Sequence, residues 1–162
     1  MRRISMFLPV LCCLTLVAQQ SAARDDAAKD KGKEWTEGSV WKGISKSTHP
    51  DGSENSRDAT AVVTKRDGKS FEARFEMNDG KVFLEWEGEV DVAGKMKFAI
   101  TKIAKVPDEF KNAEWFQNLV GVKGSGTIDG KSVTLNYVRP QSNNPKGVPN
   151  HFTIKLKLKA DD

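Results

Sequence analysis

The chain has few of the residues that form redox, metal and nucleophilic sites. Among its 162 residues there are two cysteines, two histidines and one tyrosine. Both cysteines, Cys12 and Cys13, lie in an N-terminal segment that we expect to be removed. The remaining chain then has no thiol, which excludes a disulfide, a thiolate zinc site and a cysteine nucleophile. His49 and His151 read as ordinary loop and strand-end residues, so we predict no metal site and no cofactor.

Sequence motifs of catalysis are also missing. We find no pattern typical of a zinc protease, an EF-hand, a phosphate-binding loop or a dinucleotide site. The segment Gly124-Ser125-Gly126 lies on a strand beside a turn, so it is neither a phosphate loop nor a nucleophile elbow. The carboxylates of the central strands alternate toward solvent, where they are ordinary charged groups. We therefore predict no catalytic residues and a protein that is not an enzyme.

The chain also has only a small excess of basic over acidic residues. The formal net charge is +4, and the loss of Arg2 and Arg3 with the N-terminal segment lowers it by two. A balance this close to neutral gives no general attraction to nucleic acid or to an anionic membrane. No run after residue 23 is apolar for long enough to cross a bilayer. We expect neither nucleic acid nor membrane as a partner of the mature chain.

The N-terminus has the order of features typical of a secretory signal. Arg2 and Arg3 are followed by an apolar stretch over residues 4–18 and by the small residues Ser21-Ala22-Ala23. This order predicts a signal peptide over residues 1–23 and a secreted or periplasmic protein. The alternative is an uncleaved membrane anchor. Residues 24–37 are rich in Asp, Lys and Ala and predict a charged flexible tether, and residues 38–162 form a single domain.

The clearest secondary-structure signal covers residues 60–103, which predict four strands joined by three tight turns. Asp67-Gly68 and Asp79-Gly80 are the pairs favoured in type I′ hairpin turns. With two-residue turns at both pairs, Thr60, Val62 and Thr64 face the inner side of the next strand. The third turn is expected at residues 93–95, with Val92 opposite Met96. All four strands then share one apolar face.

The rest of the chain extends the same pattern. A first strand is predicted over residues 38–46, a polar loop over 46–58, a helix over 106–121, a hairpin over 122–139 that turns at Asp129-Gly130, and a last strand over 150–159. These make an all-β protein with one helix. An open meander of eight strands would leave two long edges, so we predict an eight-stranded antiparallel up-and-down barrel. A two-layer β-sandwich is the alternative.

The predicted inner face is rich in aromatic side chains. An eight-stranded barrel can hold one small molecule, so the candidate ligand-binding residues are Phe71, Phe75, Trp86, Phe98 and Tyr137. The alternative is that these rings simply fill the barrel, since no charged side chain is predicted inside to orient a ligand. A second candidate surface consists of the loops over residues 45–58 and 140–149.

The architecture and the opening of the first strand resemble the calycin-like barrels, lipocalins and avidins. Those families begin with Gly-x-Trp, whereas this chain has Gly38-Ser39-Val40-Trp41, with one residue more in the spacing. The resemblance implies a secreted barrel and a small apolar ligand. We predict a secreted, non-enzymatic binding module for a small apolar ligand or an envelope protein partner. The alternative is a structural or interaction protein of the cell envelope with a filled barrel. The sequence predicts no oligomeric state.

Overall fold

A computed structural model of the protein describes residues 31–139 and 149–160. The predicted signal peptide and the first half of the predicted tether, residues 24–30, lie outside the described residues. The described chain contains eight strands: β1 Val40–Thr48, β2 Glu54–Asp67, β3 Ser70–Met77, β4 Val82–Val90, β5 Lys95–Lys105, β6 Lys123–Asp129, β7 Ser132–Arg139 and β8 Asn150–Leu158.

The strands form a closed barrel in which each one pairs antiparallel with the next. β8 also pairs with β1 over eight residue pairs, from Trp41 opposite Leu158 to Thr48 opposite His151. The predicted barrel is confirmed, and the sandwich alternative is excluded. The connections β1–β2, β3–β4, β5–β6 and β7–β8 lie at one end of the barrel, which we call the mouth. The other end carries the remaining turns, and we call it the closed end.

The β3–β4 hairpin has the predicted register. Met77 lies opposite Val82, Phe75 opposite Leu84 and Ala73 opposite Trp86. Asp79 and Gly80 both have positive φ, at 54° and 72°, as the central residues of a type I′ turn require. The Asp-Gly signal therefore placed this hairpin correctly.

Two other Asp-Gly pairs form a different turn from the predicted one. Asp67 pairs with Ser70, so the loop consists of Gly68 and Lys69, and only Gly68 has positive φ. Glycine at the first central position is the pattern of a type II′ turn. The sequence Asp-Gly-Lys-Ser recurs at residues 129–132 and turns in the same way, with φ of 57° at Gly130.

The predicted inner face of β2 was wrong because the strand contains a bulge. The pairing shifts between Val63 and Lys65, and a one-residue shift moves every following side chain to the other face. Ala61 and Val63 are buried inside the barrel, whereas Thr64 is exposed. The turn after β4 also differs: Val90, not Val92, is the last inward residue, and it lies opposite Met96.

The closed half of the barrel is filled by aromatic rings. Trp86 stacks between Phe75 and Phe98, with both pairs of ring centroids 4.6 Å apart. Glycine makes room for this stack, since a Cβ on Gly124 would lie 2.2 Å from Cζ of Phe98. These rings form one continuous hydrophobic core with the aliphatic residues of the other strands.

Residues 31–37 close the barrel from below and are not a tether, which corrects the prediction for this part of the segment. Trp35 is 0% exposed. Its ring lies 5.3 Å from that of Trp41 and meets that of Phe71 edge-on at 5.6 Å. A buried tryptophan between two strand residues fixes this segment to the core.

The helix predicted over residues 106–121 is reduced to two short turns, a 3₁₀ turn at Asp108–Phe110 and a helix, α1, at Glu114–Gln117. The segment is held by the barrel: Gly121 N–H donates to Ile100 O at 2.8 Å, and Ile100 N–H donates to Val122 O at 2.9 Å. We call residues 106–121 the cap, because this segment crosses the mouth and its apolar side chains pack against the hydrophobic core of the barrel. Among the described residues, no helix has the length and apolar character needed to cross a bilayer.

Candidate functional site

A cavity of about 470 Å³ opens at the mouth, between the barrel strands and the cap. Its volume lies in the range typical of small-molecule sites, about 300–1,000 Å³. The apolar residues that line it are Met77, Val82, Phe110, Phe116, Leu119, Tyr137 and Phe152. The polar residues that line it are Ser45, Ser47, His49, Asn55, Arg57, Asn78, Arg139 and Asn150.

The polar lining comes from two strands, β1 and β2, whose inward residues are apolar near the closed end and polar near the mouth. On β1 the inner residues run from Trp41 near the closed end to Ser45 and Ser47 near the mouth. On β2 they run from Val63 toward Arg57. Because inward positions recur at every second residue of a strand, both strands lead polar side chains into the cavity above the apolar core.

The adjoining wall is built by β7 and β8, since β8 pairs with β1. Tyr137 and Phe152 lie opposite each other and stack with ring centroids 4.6 Å apart. The guanidinium carbon of Arg139 lies 5.5 Å from the centre of the Phe152 ring, a cation–π distance. Burial lowers the pKa of Arg139 and raises the pKa of the Tyr137 hydroxyl above its usual range. Tyr137 is therefore neutral at physiological pH, and Arg139 is the cationic residue that this wall contributes to the described lining.

The polar groups on the β1–β2 side form hydrogen bonds with neighbouring side chains. Arg57 Nη1 donates to Asn78 Oδ1 at 3.0 Å, and Asn55 Nδ2 lies 2.9 Å from His49 Nε2. The carboxylate of Asp51, in the β1–β2 turn, accepts hydrogen bonds from the backbone and hydroxyl of Ser53. No Asp or Glu belongs to the described lining, so the charged groups of the cavity wall are cationic.

The cap supplies the apolar roof of the cavity. Phe116 and Leu119 are buried and Phe110 is half-buried, and all three line the cavity. The buried Asn150 and Ser45 lie on the opposite, strand side. A ligand in the cavity would thus meet aromatic and aliphatic carbon on one side and hydrogen-bonding groups on another.

The structure places the five predicted ligand-binding residues in two regions. Tyr137 lines the cavity. Phe71, Phe75, Trp86 and Phe98 are buried in the filled half of the barrel and do not line it. The loop surface predicted over residues 45–58 contributes lining residues, but as strand ends for the most part, because β1 and β2 extend further than predicted. The predicted loop over residues 140–149 lies almost entirely outside the described residues.

Two inward arginines were missed in the sequence. Arg57 was assigned to a loop, because the polar stretch before it is rich in turn-forming residues. Arg139 had a usable signal: it continues the alternation of Val133, Leu135 and Tyr137, which places its side chain on the inner face. The expectation that the interior holds no charged side chain was therefore wrong at the mouth.

The described residues contain no group of three or more His, Cys, Asp or Glu side chains arranged to hold a metal ion. The His49 ring contacts the side chain of Asn55. No hydrogen bond joins this ring to Ser45 or Ser47, the two serines of the described lining. What the arrangement provides is an apolar chamber with cationic and neutral polar groups at its opening.

No protein-family model matches the chain, and no curated protein matches it in sequence. Among solved structures, the chain is similar to EF1p2_mFAP2b bound to DFHBI, with a TM-score of 0.50 and 12% sequence identity. The match covers 81% of this chain and 99% of the other. This likeness concerns the fold alone, and it agrees with the predicted architecture, a closed antiparallel barrel of eight strands.

Proposed function

We propose that this protein is a non-enzymatic binding module that holds one small, largely apolar molecule in the cavity at the mouth of its barrel. The observation that carries the proposal is the cavity itself: about 470 Å³, with a roof of Phe110, Phe116 and Leu119. Apolar clefts of this size with a few converging polar groups are the usual form of small-molecule sites. That the similar barrel EF1p2_mFAP2b was solved bound to DFHBI supports the proposal.

The filled-barrel alternative accounts for only half of the molecule. Stacked rings occupy the closed half, as a purely structural barrel requires, but the cavity at the mouth has no role in such a protein. We further propose that the protein acts outside the cytoplasm, as a secreted or periplasmic protein. Arg2, Arg3 and the apolar run over residues 4–18 support this location.

Binding is tested by titrating the purified protein with phenylnaphthylamine, an uncharged aromatic probe whose fluorescence rises in apolar surroundings. We expect saturable binding of one probe molecule per chain. Ser47→Trp places a large ring inside the cavity and should weaken binding at least about tenfold, since the site can no longer hold both.

The matched control is Lys46→Trp, on the same strand. Lys46 is exposed and forms an ion pair with Glu54 on the outside of the barrel, so this variant should bind the probe as the unchanged protein does. Absence of saturable binding, or equal loss in the two variants, would contradict the proposal.

A further inference from the structure

The cationic lining of the cavity indicates which small molecules it selects. Two arginines line the described cavity wall and no carboxylate does. The arginines stand on different strands, Arg57 on β2 and Arg139 on β7, so positive charge reaches the cavity from two sides. The roof of the same cavity is aromatic and aliphatic. The described charged groups of the lining therefore come from the strands, and the described lining residues of the roof are uncharged.

From this separation we infer that the ligand is an amphipathic anion: a molecule with a carboxylate, sulfonate or phosphate group near Arg57 and Arg139 and an apolar body under Phe110, Phe116 and Leu119. The inference rests on the proposed function, because it names the class of ligand for the same cavity. It adds that an uncharged apolar molecule of equal size is a poor substitute.

The surroundings of Arg57 suit an anion. Among described residues its guanidinium donates only to the amide oxygen of Asn78, a neutral acceptor, and a guanidinium has five N–H donors. Arg57 is exposed and lines the cavity, and the described wall of that cavity offers no carboxylate. Charge-assisted hydrogen bonds from arginine to a carboxylate or phosphate are about twice as strong as neutral ones.

Arg139 is also placed to bind an anion in the cavity, and it lies beside an aromatic ring. Its guanidinium carbon lies 5.5 Å from the centre of the Phe152 ring, and burial lowers the pKa of Arg139. Arg139 thus brings a second guanidinium group to the described cavity wall. Asn150, fully buried, and Ser45 add neutral hydrogen-bonding groups near the same end of the strands.

The test compares two probes that share one aromatic frame. Anilinonaphthalenesulfonate carries a sulfonate, and phenylnaphthylamine lacks it. We expect the anionic probe to bind the purified protein at least about tenfold more tightly, with a preference that falls as salt is added, since screening weakens exposed charge interactions. Arg57→Gln should weaken the anionic probe about five- to tenfold and change the neutral probe less than about twofold.

Arg66→Gln is the matched control. It removes the same charge near the closed end, where Arg66 Nη1 donates to Lys69 O, and it should leave both affinities unchanged. Two results would overturn the inference. If the neutral probe binds as tightly as the anionic one, the cavity binds small molecules without selecting anions, and the proposed function stands alone. If Arg57→Gln weakens both probes equally, Arg57 supports the structure and does not recognise charge. Binding of neither probe would remove both proposals.

Discussion

Trp35 provides the sharpest test of how the closed end of the barrel is built. Its side chain is fully buried, and a buried tryptophan removes about 150–250 Å² from water. At about 25 cal/mol per Å² this burial contributes about 4–6 kcal/mol. Its Nε1 has no hydrogen-bond partner in the described part of the chain, which offsets about 1–3 kcal/mol. These two contributions leave about 1–5 kcal/mol. Truncation of a buried tryptophan to alanine usually costs about 3–5 kcal/mol, so we expect Trp35→Ala to lower the free energy of unfolding by an amount in the upper part of that range.

Urea denaturation followed by far-UV circular dichroism measures this loss without relying on the fluorescence of the deleted ring. With a typical m value of about 1–3 kcal/mol/M, the midpoint should fall by about 1 M or more. Thr36→Ala is the control: this neighbouring residue is exposed, and we expect a change below about 0.5 kcal/mol. A loss below about 1 kcal/mol for Trp35→Ala would refute the reasoning and return residues 31–37 to the role of a tether.

Two further predictions concern the interior. Gly124→Ala should lower the free energy of unfolding by about 1–3 kcal/mol, because the new Cβ would lie 2.2 Å from Phe98 and must displace that ring from Trp86. Unchanged stability together with an unchanged near-UV circular dichroism spectrum would disprove the close contact. Tyr137, the single tyrosine, has its pKa raised by burial in the folded state. Stability should thus fall by about 1.4 kcal/mol per pH unit above about pH 10, where the unfolded tyrosine ionises. Tyr137→Phe should remove this pH dependence of stability. If the tyrosinate absorbance of the folded protein rises with a midpoint near pH 10, the raised pKa of Tyr137 is contradicted.

The closed barrel could be predicted because the physical signal was redundant. Every strand has one apolar face, and an open sheet with such a face would leave unpaired edges exposed. The last strand alternates Ile154 and Leu156 inward with Lys155 and Lys157 outward, which left one consistent arrangement. A register error in one hairpin does not change that conclusion, since closure depends on the set of faces and not on any single pairing.

Local details could not be predicted, because they depend on geometry that the sequence pattern leaves open. Asp-Gly is compatible with a type I′ turn, seen at Asp79-Gly80, and with a type II′ turn one residue later, seen after Asp67 and after Asp129. A bulge between Val63 and Lys65 has no clear sequence signal, yet it decides which residues of β2 face inward. Arg57 reaches the cavity only because that face was set by the bulge.

Trp35 was missed for a different reason. Its neighbours are charged, and composition averaged over residues 24–37 hides one large apolar side chain. At the candidate site, Tyr137 is the one of the five predicted residues that lines the cavity. Phe75, Trp86 and Phe98 instead stack against one another in the core. Whether inward rings fill a barrel or line a chamber depends on packing between strands, which alternation alone does not specify.

The most direct test of the central claim is a crystal structure of the protein with anilinonaphthalenesulfonate bound. We expect the probe in the cavity at the mouth, with its rings under Phe116 and Leu119 and a sulfonate oxygen about 2.7–2.9 Å from a guanidinium nitrogen of Arg57 or Arg139. A probe bound outside the barrel, or with its sulfonate turned away from both arginines, would contradict the account.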